Sequence, residues 1–432
     1  MERRKSAQSL TKQRSGDNLS VLAFLPLSLV LPMALSAVTH YDVKLTLDSE
    51  ARVLYGRESI RFEHSAGAIR WDKQIGLKIK RHRCATGNLD IADNTVGAAL
   101  SRGGEHIVNI EYIASPTIGF RRLSNGQGLF TAFHCAAWMV CASSPEDRAT
   151  LRLEIVTTDS SLRAVGPGVE RKHWRDTEGQ HWVFETPSPA QSYLWSFAVA
   201  RLKRSGFDRY EIFASASGHS AALRQTAEAA RFFREKTGVD ALHHGYRQVF
   251  LPQPGVFGQE AAGLGLMTET ALQNLETKGD VVLMAHELAH QWWGVSVGIR
   301  SWSDFWLNEG VAEYVSLLYL EHLRGNQPFL AAIEELNRRF AKLEANGQDR
   351  PLHFEAWKDV NEALGPLPYV KGALFLHRLR SQLGDKLFWQ GMARYSKQHA
   401  GKLVDSRAFQ RAFEDVTGVD LAPTFNKEVY GR

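Results

Sequence analysis

The run from Met284 to Gly294, MAHELAHQWWG, sets two histidines and a glutamate into an otherwise apolar stretch. His286 and His290 stand four residues apart, which on an α-helix puts both imidazoles on one face, close enough to share an ion. Glu287 sits beside the first histidine, where its carboxylate can reach a water at that ion without being a ligand. The spacing is HExxH. Its chemistry divides the labour: neutral imidazoles hold Zn²⁺, and the glutamate takes a proton from water as that water attacks a carbonyl. One histidine in an apolar setting is ordinarily a satisfied core residue. Two in helical register beside an acid do not fit that reading.

A third ligand is needed, and SWSDFWLNEGVAEYVSLLYLEHL (301–323) supplies it. This second apolar helix candidate carries Glu309 and Glu313, four apart and on one face. Glu309 is the better ligand, because Gly310 beside it lets the backbone approach a neighbouring helix closely. A His286, His290, Glu309 set holds one Zn²⁺ per chain and leaves a position open, the pattern of catalytic sites. Glu313 reads either as the acceptor for a ligand imidazole N–H or as part of a solvated face.

The elements that must position these groups divide the chain in two. Tyr41, Val43, Leu45 and Leu47 alternate with polar residues, as a half-buried strand requires, and similar alternations recur to about residue 204. YLWSFAVARL (193–202) reads as a strand buried on both faces. Beyond RSGFD (204–208) the period is helical: Leu223, Ala227, Ala230 and Phe233, stopping at Gly238; then Leu330, Ile333, Leu336 and Phe340 after Pro328. Ala373, Leu376, Leu379 and Leu383 precede Gly384, and Ala408, Ala412, Phe413 and Val416 precede Gly418. The expected domains are 38–204, mostly β, and 205–432, mainly helical.

Composition bounds the rest. A chain of 432 residues, 44% hydrophobic and 23% charged, is long enough for two cored domains. Its net charge of +5 owes much to Arg3, Arg4, Lys5, Lys12 and Arg14, so the body carries no basic stripe and no nucleic-acid partner is expected. That basic start leads into VLAFLPLSLVLPMAL (21–35) and then Ser36 and Ala37. Residues 1–37 therefore read as a signal peptide or membrane anchor, with export to a periplasmic or extracellular location and membrane association through 21–35 as expectations. Cys135 and Cys141 then admit either a bridge or two buried thiols.

HELAHQWWG together with WLNEGVAEY resembles the zinc aminopeptidase family of aminopeptidase N and leukotriene hydrolase. THYDVKLTL (39–47), SYLWSFAVARL (192–202) and FEDVTGVDLAPTFNKEVYG (413–431) are similar to further segments of it, so the resemblance covers roughly 38–432. It implies a saddle-like β-sandwich N-terminal domain followed by a thermolysin-like, mainly helical catalytic domain of β and α+β class. In PLPYVKG (366–372) it places the family's oxyanion-stabilising tyrosine on Tyr369. In VFGQEAAGLGLMTE (256–269) it places the acid that binds a substrate's α-ammonium on Glu260, with Glu309 sharing that task.

Two departures stand out. Gln259 and Ala261 replace the methionine and asparagine that flank the acid in the family's Gly-x-Met-Glu-Asn segment, which loosens the case for amino-end recognition. The large helical domain that closes the site in many relatives is expected to be missing. The expected function is zinc-dependent hydrolysis of a peptide or protein substrate, releasing N-terminal residues. The alternatives are an endopeptidase or other zinc amide hydrolase, and a non-catalytic binding protein on a protease fold. Oligomeric state is not legible.

Overall fold

A computed structural model describes residues 37–48 and 53–432. The first strand, Ala37–Leu47, buries Tyr41, Val43, Leu45 and Leu47 and leaves Asp42, Lys44 and Thr46 partly covered. It pairs antiparallel with Leu54–His64 and parallel with Arg148–Thr157, inside a sheet that has eight strands among the described residues. Smaller sheets close the core over it. Cys135 and Cys141 form a disulfide. The loop they close is tied to the sheet: Val140 N–H donates to Glu58, Ala142 N–H to the Tyr41 hydroxyl, and the Tyr112 hydroxyl to the Trp138 carbonyl.

Next comes a mixed five-stranded sheet in the order Lys203–Phe207, Tyr210–Ala214, Tyr246–Leu251, Leu264–Thr268, Gly258–Ala261. The sequence, whose period here is mainly helical, does not mark out this sheet. Tyr246–Leu251 and Leu264–Thr268 are buried at every residue and so show no alternation. The helices are α1 (Ser220–Thr237), α2 (Glu269–Lys278), α3 (Val282–Ala289), α4 (Trp306–Arg324), α5 (Asn326–Ala345), α6 (Val360–Ala363), α7 (Pro366–Leu383), α8 (Asp385–His399), α9 (Ser406–Thr417) and α10 (Ala422–Glu428). The architecture is thus a β-rich N-terminal part followed by a largely helical region.

Four expectations need correction. A large C-terminal helical part is present, not missing: α4 to α10 pack on one another through buried Val315, Leu336, Leu376, Phe388, Phe409 and Phe425. The segment 193–202 is not one strand but a short 3₁₀ turn, Ser192–Leu194, and a strand, Ala198–Ala200. On α5 the buried stripe runs through Phe329, Ile333 and Leu336, while Leu330 is 48% exposed. Membrane association is not sustained: among the described residues no helix is long and apolar enough to cross a membrane, and 21–35 lie outside those residues.

One crossing matters for the site. A Cβ on Gly310 of α4 would stand 2.7 Å from the Gly372 Cα of α7, and one on Gly372 would stand 2.8 Å from the Gly310 Cα. The two helices meet in backbone contact, which only paired glycines permit.

The C-terminal tail is held by Asp304. It accepts from His353 Nδ1 at 2.8 Å and from the Ser406 hydroxyl at 2.5 Å, while His353 N–H donates to the Val429 carbonyl. The Asp304 hydrogen bond outweighs partial burial and raises the His353 pKa above 6.5. The contribution is therefore complete below 6.5 and is lost as pH rises through the raised value. His353→Asn should lower the thermal midpoint more at about pH 5.5 than at about pH 9. Equal losses at both, measured by calorimetry, would contradict this.

Candidate metal centre

Helix α3 is short, apolar and buried throughout its second half. Its last turn continues through His290, whose backbone keeps right-handed helical angles (φ −58°, ψ −19°), so the four-residue spacing still aligns the two imidazoles. His290 Nδ1 lies 3.2 Å from the Trp293 carbonyl, to which it can only donate. His286 Nδ1 lies 3.3 Å from Glu313 Oε2, a contact short of a well-aligned hydrogen bond. Both rings thereby turn Nε2 toward a common point.

Glu309 reaches that point from α4. Its Oε2 lies 3.4 Å from His286 Nε2 and 3.4 Å from His290 Nε2, and the two nitrogens are 3.1 Å apart. Two neutral imidazole lone pairs at that separation repel, a conflict that a shared proton or a bound cation relieves. Tetrahedral donors bonded to zinc at about 2.0–2.2 Å stand about 3.3–3.5 Å from one another, so the triangle has the right size. All three residues are buried, and Glu309 Oε1 has no partner. The donor set, two nitrogens and one carboxylate oxygen, is that of a zinc site with an open position.

The charges agree. Burial works against charge on Glu309, yet His290 and His286 hold its carboxyl down at about 2. Burial pulls His290 down, but Glu309 and Glu260 outweigh it and hold it at about 9. Such a carboxylate-rich pocket demands positive charge, and a dication meets that demand.

Glu287 lies on the same turn with Oε2 unpartnered, and burial lifts its pKa to about 7. The edge strand Gly258–Ala261 passes so close that a Cβ on Gly258 would overlap the Glu287 carboxylate. The same strand presents Glu260, 2% exposed, opposite Gly265 of its neighbour. Burial raises Glu260 to about 8, and its Oε1 too has no partner. Glu260, Glu287 and His290 offer ligand atoms within 4.8 Å of one another, so Glu260 and Glu287 form one cluster with the metal triangle. Tyr369 arrives from the first turn of α7, which the Gly310–Gly372 crossing brings against α4. Its ring stacks on His286 with centroids 5.9 Å apart and planes at 11°. Glu313, four residues after Glu309, meets the far side of His286 and lies 4.0 Å from Arg339.

Three neighbours escaped the sequence reading. Asn308 donates to the Tyr193 hydroxyl at 2.7 Å, and Gln291 bonds the turn after Glu260. Tyr193 lay hidden in a run read as core strand. Asn308 and Gln291 each adjoin a ligand in sequence, and that adjacency was the available signal.

The fold brings this donor set together as a buried candidate zinc centre. The family model described as Peptidase family M1 domain matches residues 221–427. Among curated proteins, the chain is 30% identical over 287 residues to aminopeptidase N of Canis lupus familiaris, covering 59% of this chain and 29% of that protein. It is 22% identical over 415 residues to leucyl aminopeptidase of Saccharolobus solfataricus, covering 89% and 52%. The chain thus spans about three-tenths to one half of these relatives. Among solved structures, the M1 zinc metallopeptidase of Deinococcus radiodurans in a mutant form bound to a Tyr-Ser-Ala substrate has a TM-score of 0.77 at 23% identity, covering 92% of this chain and 94% of that one. Native yeast LTA4 hydrolase gives 0.77 at 18%, covering 91% and 68%. The likeness establishes a shared fold.

Proposed function

We propose that the protein is a zinc-dependent aminopeptidase that removes residues from the amino end of peptides. The observation that carries this reading is the convergence of His286, His290 and Glu309 on one point, with two further buried carboxylates beside it, Glu287 and Glu260, each with one unpartnered oxygen. In this reading residues 205–432 carry the chemistry and 38–204 form the β domain that flanks it. When bound, zinc supplies Lewis acidity toward a carbonyl oxygen and toward water.

The protein's own groups do the rest. His286, His290 and Glu309 hold the ion, and Glu313 orients His286. Glu287 takes the proton from the attacking water and passes it to the leaving amine, work suited to a carboxylate whose pKa is lifted toward 7. The Tyr369 hydroxyl donates to the oxygen on which negative charge develops. Glu260, with Glu309, accepts from the substrate's α-ammonium, and the spacing between that anchor and the ion sets where the chain is cut. Export to an oxidising compartment belongs to the same reading and is supported by the Cys135–Cys141 disulfide.

The test is a short peptide amide with a free or an acetylated amino end, with chelator and zinc restoration. Activity on the free form, lost on acetylation and on chelation, is expected. Equal activity on both forms would make the protein an endopeptidase, and none on either would leave a binding protein. Tyr369→Phe should lower kcat by about 10²–10³-fold with little change in KM, the cost of one oxyanion donor. A KM effect alone, in steady-state kinetics, would give Tyr369 a packing role.

A further inference from the structure

Gln291 follows directly on the ligand His290, is 1% exposed, and spends its whole amide on one target. Its Nε2 donates to the Ala261 carbonyl at 2.9 Å, and its Oε1 accepts from the Gly263 N–H at 2.8 Å. Those groups bracket the turn between Gly258–Ala261, the strand that presents Glu260, and Leu264–Thr268. From the other side, Ala262 N–H donates to the Leu194 carbonyl at 2.9 Å, and Gly168 N–H to the Ala262 carbonyl at 2.7 Å. The turn is therefore a knot of three parts: the turn that follows the metal helix, through Gln291, and two segments of the β-rich N-terminal part through Leu194 and Gly168.

We infer that Gln291 is a positioning residue that fixes the distance between Glu260 and the metal triangle, and so sets how well a free amino end is recognised. The inference rests on the aminopeptidase reading above. A side chain that merely filled the core would not need a donor and an acceptor aimed at two groups of one turn, and an apolar residue of the same size would serve. Gln259 and Ala261, the residues on either side of Glu260, do not hold its carboxylate from another element. Among the described residues, Gln259 Nε2 bonds only Glu260 itself, at 2.8 Å to the carbonyl and 3.3 Å to Oε2. The tie to the metal helix falls to Gln291.

The experiment uses the zinc-loaded full chain, Gln291→Glu and Gln291→Ala. Gln291→Glu keeps the volume and the acceptor for Gly263 but turns the donor facing Ala261 into a second acceptor. KM for an aminoacyl amide with a free amino group should rise about tenfold or more in both variants, roughly the loss of one or two buried hydrogen bonds. The kcat should fall less, and bound zinc should stay at the wild-type level. Hydrogen exchange over 258–265 should show the Gly263 amide protected in the wild type and faster in the variants. A variant that loses thermal stability but keeps the wild-type KM for the free aminoacyl amide would overturn the inference. So would rapid exchange of Gly263 in the wild type, which needs no variant to fold. A wild type that cleaves no free aminoacyl substrate would instead sink the aminopeptidase reading, and Gly263 protection would then decide the Gln291 contact alone.

Discussion

Glu287→Gln is expected to bind zinc like the wild type and to lose turnover by about 10²–10⁴-fold, the worth of a positioned general base. The change is isosteric, which matters here because Gly258 leaves no room beside this side chain for anything larger. An amide cannot accept the proton of an attacking water. The metal triangle is untouched, since none of its three edges, 3.1, 3.4 and 3.4 Å, involves Glu287. Loss of activity with full zinc content separates a missing base from a missing ion. Turnover within about threefold of the wild type would show that Glu287 is not the base.

Glu309→Ala should have the other large effect, this time on the metal. Partners that only orient a metal ligand are worth about 10–100-fold in affinity, so loss of a ligand should cost at least about 10²-fold. Two imidazoles would remain, held 3.1 Å apart with no anion at the third corner. Glu313→Gln, which removes only the charge facing His286 Nδ1, should weaken zinc by the smaller amount. The order Glu309→Ala, then Glu313→Gln, then wild type in rising zinc affinity, read by competition with a chelator, is the expected result. Equal affinities for Glu309→Ala and wild type would place the third ligand elsewhere.

Much of this centre was legible because it is written in helical register. His286, His290, Glu309 and Glu313 obey a four-residue period that survives folding, and Gly310 announces a close crossing whose partner, Gly372, could not be named without the structure. Tyr369 was different. It sits one turn into α7 between apolar neighbours, and nothing in its local pattern separates it from a packing tyrosine; only family resemblance singled it out. Glu260 depended on resemblance too, since its strand lies in a sheet whose central members, Tyr246–Leu251 and Leu264–Thr268, are buried on both faces and lack the alternation that marks a half-exposed strand. Leu330 and Phe329 show the same limit on a helix. Adjacent apolar residues leave the stripe ambiguous by one position, and the packing of α5 decided for Phe329. Gln291 was unreadable for another reason, because a glutamine's hydrogen-bond partners are set by tertiary approach and leave no periodic trace.

The proposed chemistry requires a single ion held by two imidazoles of one helix and one carboxylate of the next. Diffraction data collected from zinc-soaked crystals on both sides of the zinc absorption edge test it most directly. One strong anomalous peak per chain, within bonding distance of His286 Nε2, His290 Nε2 and Glu309 Oε2, is the predicted result. A peak at other residues, or none in zinc-replete crystals, would contradict it.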